Sequence, residues 1–242
     1  MSAATIGIAP AFDPRPVGGP PTPVRVPRGY LDALQVAGAR VVILPPVPDE
    51  AAAEHHLELV QGVMLIGGHT PLPDPIVNVE VLPPLYDLNP ERYVSDAAYA
   101  RVARRRGMPL FGVCRGLQVM NEALGGVMDY RRLGTAGTTN HYQVAPDDVA
   151  THEIAIEIPS RFHTAIGRNR LRVNSFHRTA VLKPAPGLRI AARSEDGVVE
   201  VVESDADGFV MGVQFHPETM PRDDPSRRAY SAFVAAASEW CR

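Results

Sequence analysis

Through the first half of the chain, short β-branched apolar runs alternate with stretches of helical periodicity, the pattern of an α/β fold. ATIGIAPAF opens as a strand, and RGYLDALQVAGA follows with Tyr30, Leu31, Leu34 and Val36 near helical spacing and Gly38 placed as a C-cap. RVVILPP is a second strand, PDEAAAEHHLELV a helix with an acidic first turn, and GVMLIGG a third strand. SDAAYARVARRRG is a helix with its basic residues near the C-terminus, and MPLFGVC is a fourth strand. Strand-helix alternation implies right-handed crossovers, and hence a three-layer sandwich with a central, mostly parallel sheet flanked by helices.

The second half is less regular. THEIAIEI alternates clearly, and GLRIAARS, GVVEVVES and FVMGVQF are strand-like and closely spaced, which predicts an antiparallel extension of the sheet. A last helix over DPSRRAYSAFVAAASEW packs back on one face. Residues 13–28 and 69–90 are rich in proline and are expected to be loops, the second a lid or pocket wall. With no repeat or low-complexity array, residues 1–242 are taken as one domain.

Composition narrows the function. The 24 basic and 27 acidic side chains leave a formal charge of −3, so nothing draws the chain to nucleic acid or to an anionic membrane, and a small-molecule partner is expected. The start, MSAATIGIAPAFDP, lacks a basic region followed by a long apolar core, and no segment is apolar for long enough to span a bilayer, so a cytoplasmic location is expected. Two cysteines, Cys114 and Cys241, make no disulfide framework.

Cys114 stands in GVCRGLQVMNEALGG, at the carboxyl end of one predicted strand and the amino end of the next helix, where open α/β sheets bind ligands. Gly112-x-Cys114-x-Gly116 matches a nucleophile elbow, a sharp turn whose small neighbours avoid clashes. The helix N-terminus favours the thiolate, and the same turn aims backbone N–H groups, that of Arg115 among them, at a developing oxyanion. A nucleophile needs a base, and of eight histidines His216 is distinctive: it ends FVMGVQF and is followed by Pro217 and Glu218. That order yields a Cys-His-Glu triad. His55, His56, His141, His152 and His163 have no distinctive setting and are expected to be solvated or satisfied.

GVCRGLQVMNEALGG together with GVQFHPE resembles the class I glutamine amidotransferase-like superfamily, and within it the γ-glutamyl-γ-aminobutyrate hydrolase family. Gly67-Gly68 and VNSFH, residues 173–177, match further segments of that family. The resemblance implies a flavodoxin-like class I glutamine amidotransferase fold and a triad of Cys114, His216 and Glu218. It implies Gly68 and Arg115 as oxyanion donors, and Gln118, Asn174, Ser175, Phe176 and His177 as contacts to a γ-glutamyl substrate. It calls for no metal or organic cofactor, and a homodimer is the default assembly.

The chain leaves the family pattern at residues 69–73, where an aspartate and a proline-tyrosine pair are usual, and at Arg178-Thr179, where His-Gln is common. Both departures fall at the expected pocket mouth, so they bear on the amine side of the substrate. Arg178 either meets an acidic leaving group or is a solvated loop arginine, and His69 either touches substrate or is a loop histidine with no chemical role. Three other readings remain: a glutaminase subunit feeding ammonia to a synthetase, a cysteine hydrolase of α/β-hydrolase type, and a silent ligand-binding homologue. Arg115 tells against the first, since ammonia-delivering relatives more often carry an apolar residue there. Glu218 lying after His216 tells against the second, and the complete triad against the third.

Overall fold

In the computed structural model, which describes residues 3–16, 18–68, 81–131, 139–221 and 223–240, the strands build one mixed sheet. Strands β1 (Thr5–Ala9), β2 (Arg40–Ile43), β3 (Gly62–Leu65) and β4 (Leu110–Val113) run parallel in the spatial order β2-β1-β3-β4. Successive residues point to opposite faces, so each strand feeds two cores. Ile6, Ile8, Met64, Ile66, Phe111 and Val113 meet α1 (Arg28–Val36) and α7 (Asp224–Glu239) on one face. Val63, Leu65 and Leu110 meet α2 (Glu50–Leu57), α4 (Pro90–Arg105) and α5 (Arg115–Ala123) on the other.

The second half extends this sheet through β5 (Val127–Asp129), β6 (His152–Ile156), β7 (Arg170–Val173), β8 (Ala180–Lys183), β9 (Leu188–Ser194), β10 (Val199–Ser204) and β11 (Val210–Val213). Beyond β4 the order is β11-β10-β9-β6-β7, while β5 and β8 pair to one side. The run FVMGVQF, expected in the antiparallel extension, is instead the last parallel strand. The short reversal after β10, with Gly208 at φ +90, brings β11 back antiparallel to β10 and therefore parallel to β4.

The expected loop over 69–90 also needs correction. Residues 69–80 lie outside the described part, but 81–90 contain the short helix α3 (Leu85–Leu88) and the first residue of α4. The prolines sit where helices tolerate them: Pro84 caps α3, and Pro90 opens α4 behind Asn89, whose side chain accepts the Arg92 N–H at 3.1 Å. Helix α6 (Arg161–Ile166) packs against α7, and a 3-10 turn, Pro217–Thr219, follows β11. No described helix is long and apolar enough to cross a membrane.

Candidate active site

Strand β4 runs into α5 through Cys114, the one described non-glycine residue with positive φ (φ 49, ψ −108). Such a backbone costs about 1–3 kcal/mol, so the surroundings must enforce it. They do so through close packing that only glycine permits. A Cβ at Gly116 would lie 2.1 Å from the Leu65 carbonyl oxygen, and one at Gly112 2.7 Å from the Leu117 nitrogen. The Cys114 N–H donates to Val213 O at 2.8 Å and its carbonyl accepts from Gln118 N at 3.1 Å, tying the elbow to β11 and to its own helix. The thiol is thereby held at the N-terminus of α5, where the helix dipole favours an anion.

His216 leaves β11 beside this thiol, close enough for the sulfur to act on the imidazole. Its Nδ1 is 2.7 Å from Glu218 Oε1, which leaves Nε2 for Cys114. The backbone of His216 is clamped by Asn174: Oδ1 accepts the His216 N–H at 2.8 Å, and Nδ2 donates to the His216 carbonyl at 3.0 Å. Burial opposes protonation of the imidazole, but the Glu218 carboxylate and the Cys114 sulfur outweigh it and hold the group well above its ordinary value. Glu218 is itself enclosed. The N-terminus of α1 approaches so closely that a Cβ at Gly29 would lie 2.5 Å from the Glu218 carbonyl oxygen, and the Tyr30 hydroxyl faces the carboxylate. Burial first, then that carboxylate, push the Tyr30 hydroxyl well above the usual phenol range.

The opposite wall is the turn after β3. Arg92, buried on α4, donates to the carbonyls of Ile66 at 2.9 Å and Gly67 at 2.8 Å, while the Gly67 N–H donates to Tyr30 Oη at 3.0 Å. Because a trans peptide points its N–H opposite its C=O, fixing the Gly67 carbonyl on Arg92 turns the Gly68 N–H the other way. Gly68 faces the Arg115 side chain and lines the same cavity. Arg115, as the first residue of α5, has an N–H with no intrahelical acceptor. Its side chain is buried near the Arg92–Asp96 ion pair (3.4 Å), and burial together with the Arg92 charge lowers its pKa to about 10.

Cys114, His216, Glu218, Gly68 and Arg115 thus border one cavity of about 440 Å³, within the range of small-molecule sites. Of the expected substrate contacts, Gln118, Phe176 and His177 also line it. Gln118 Nε2 is held by Thr179 O and Gln214 Oε1, both at 3.2 Å, and Phe176 stands edge-on to His216. Asn174 and Ser175 are not brought to the cavity: both are fully buried, Asn174 behind His216 and Ser175 bonded to the His141 carbonyl at 2.9 Å. Arg178 lies over the Tyr142 ring, 3.9 Å from its centroid, at the cavity edge. Residues 69–73, with His69, and Cys241 lie outside the described residues.

Sequence reasoning passed over Arg92, Tyr30 and the partners of His177. The carbonyls that Arg92 binds lie 25 and 26 residues away, and the Gly67 N–H that Tyr30 accepts lies 37 away, so no local pattern exposes either. His177 belongs to a buried cluster with His141, His152 and Glu200.

The Peptidase C26 family matches residues 17–218. The chain is 34% identical over 197 residues to Protein NtpR of Enterococcus hirae, covering 79% of this chain and 80% of that protein. It is 28% identical over 222 residues to the gamma-glutamyl-gamma-aminobutyrate hydrolase PuuD of Escherichia coli (strain K12), covering 86% and 84%. Among solved structures, the glutaminase domain of Trypanosoma brucei CTPS with bound acivicin superposes with a TM-score of 0.66 at 20% identity, covering 99% of this chain and 95% of that one. The last likeness concerns the fold, whereas the family match spans most of the sequence. The chain belongs to the Peptidase C26 family of class I glutamine amidotransferase-like proteins.

Proposed function

We propose that the protein is a cysteine-dependent hydrolase that cleaves the γ-glutamyl amide bond of a γ-glutamyl amine, releasing glutamate and the free amine. The observation that carries the reading is the strained Cys114 elbow with the paired His216 and Glu218 beside it in one cavity. Membership of a peptidase family and likeness to a gamma-glutamyl-gamma-aminobutyrate hydrolase support hydrolysis of a C–N bond.

The steps follow from the groups present. The Cys114 thiolate attacks the γ-amide carbon, and the oxygen of the tetrahedral intermediate takes hydrogen bonds from the Gly68 and Arg115 N–H groups. His216, protonated and oriented by Glu218, gives its Nε2 proton to the departing amine, which leaves a γ-glutamyl thioester on Cys114. His216 then takes a proton from water, the hydroxide attacks the thioester, and glutamate departs as the thiolate is restored. Arg178, beside the Tyr142 ring at the cavity edge, is placed to meet a leaving group that carries a carboxylate.

A panel of γ-glutamyl amines with acidic, neutral and basic leaving groups, with free glutamine beside it, tests the reading. The expected result is glutamate release from γ-glutamyl amines that Cys114→Ala abolishes, with preference for an acidic leaving group that Arg178→Ala removes. Turnover of glutamine alone would replace the reading with that of a glutaminase.

A further inference from the structure

Behind the cavity wall, three imidazoles converge on one buried carboxylate. Glu200 Oε1 lies 3.3 Å from His141 Nδ1, 3.0 Å from His152 Nε2 and 3.5 Å from His177 Nε2, and all four side chains are buried. One ligand atom from each of His141, His152 and Glu200 lies within 4.8 Å of the others. In a tetrahedral site with ligands about 2.05 Å from the ion, neighbouring ligand atoms stand about 3.3 Å apart, the spacing these contacts bracket.

The outer nitrogens decide which atoms carry lone pairs. His177 Nδ1 is 3.1 Å from the Thr179 carbonyl, which only accepts, so Nδ1 bears the hydrogen and neutral His177 turns an Nε2 lone pair toward the carboxylate. His141 Nε2 lies 3.2 Å from Asp196 Oδ2, so neutral His141 donates there and turns an Nδ1 lone pair toward Glu200 Oε1. Imidazoles with one nitrogen donating to a carboxylate or carbonyl and the other directed at a shared point are the usual outer shell of a metal centre. Glu200 Oε2, His152 Nδ1 and His177 Nε2 are buried without hydrogen-bond partners.

We propose that His141, His152 and Glu200 bind a divalent first-row transition-metal ion of the zinc class, with His177 available as a fourth ligand. Imidazole and carboxylate donors suit that class, and among the described residues the donor set holds no thiolate. The ion joins β6 and β10 to the segments carrying His141 and His177, and so braces the wall that presents Phe176 and Arg178 to the cavity. The site stands apart from the triad and does not depend on the hydrolytic reading.

The test uses the full chain purified without a histidine tag or chelator. Metal analysis is expected to find about one zinc per chain, and zinc-edge X-ray absorption a shell of nitrogen and oxygen, imidazole included and sulfur excluded. In equilibrium dialysis of metal-stripped protein, Asp196→Asn should weaken zinc binding by about 10- to 100-fold, His152→Ala should weaken it at least as much, and Cys114→Ala should leave it unchanged. Absence of zinc binding by the stripped native protein, sulfur in the shell, or loss of the ion with Cys114→Ala overturns the proposal. The absorption spectrum of the native protein decides even if a variant fails to fold.

Discussion

Asn174 makes its hydrogen bonds from a fully buried position, two of them to the backbone of His216 and others to Asp147 O and Thr219 Oγ1. Removing its amide strands the buried His216 N–H, at about 1–3 kcal/mol, and takes one of two donors from the His216 carbonyl. Asn174→Ala is therefore expected to lower the melting temperature and to reduce kcat more than it raises KM, because the base is misplaced while the cavity is kept; steady-state kinetics beside a thermal melt checks this. Glu218 gives a prediction in pH. The folded protein raises the His216 value, so the ion pair stabilises the fold fully below histidine's unperturbed value of about 6.5 and loses that contribution as pH rises through the raised value. The stability gap between the native protein and Glu218→Gln should be widest below about pH 6.5 and narrow above it. In the same variant the alkaline limb of kcat/KM should move to lower pH, and an unmoved limb contradicts the pairing. At this scale the candidate nucleophile, base and acid are legible in the sequence because elbow chemistry demands scarce residue types in a fixed setting. Asn174 is legible as a residue but not in its place, since its partners lie 27 to 45 residues away.

The elbow works as an element only because α5 sits against β3 with no side chain between them. Gly116→Ala places a methyl group against the Leu65 backbone oxygen, which cannot rotate away. Overpacking of this kind costs about 1–3 kcal/mol or more, and here it also displaces Cys114. Chemical denaturation should show the loss of stability, and the alkylation rate of Cys114 should change with it. Gly29→Ala is the matching test on the other side, where α1 meets the Glu218 backbone: activity should fall as the carboxylate shifts. Elements with strong periodicity, such as β1, β3, β4 and α7, can be read directly from apolar spacing. The start of α4 cannot, because its signal is the Asn89 cap and the tolerance of Pro90 at the first position, inside a proline-rich stretch that otherwise reads as loop.

Across the whole molecule, the site forms where the parallel strands end: Cys114 follows β4, Gly68 follows β3 and His216 follows the adjacent β11. This is the general position of ligand sites in open α/β sheets, and it explains why residues about 100 apart in sequence meet. The parallel half is legible because each strand-helix unit is local. In the antiparallel half β6, β9 and β10 are legible as strands, but β5, β7 and β8 are not, since they are three or four residues long and their pairing is set by distant partners. The histidine cluster is invisible for the same reason: its histidines reach one carboxylate from three separate places in the chain. If Cys114 carries the γ-glutamyl group, mass spectrometry of protein quenched during turnover of a γ-glutamyl amine detects the covalent intermediate itself. The expected result is a γ-glutamyl adduct mapped to the Cys114 peptide and absent from Cys114→Ala; glutamate release with no adduct, undiminished in that variant, would rule that role out.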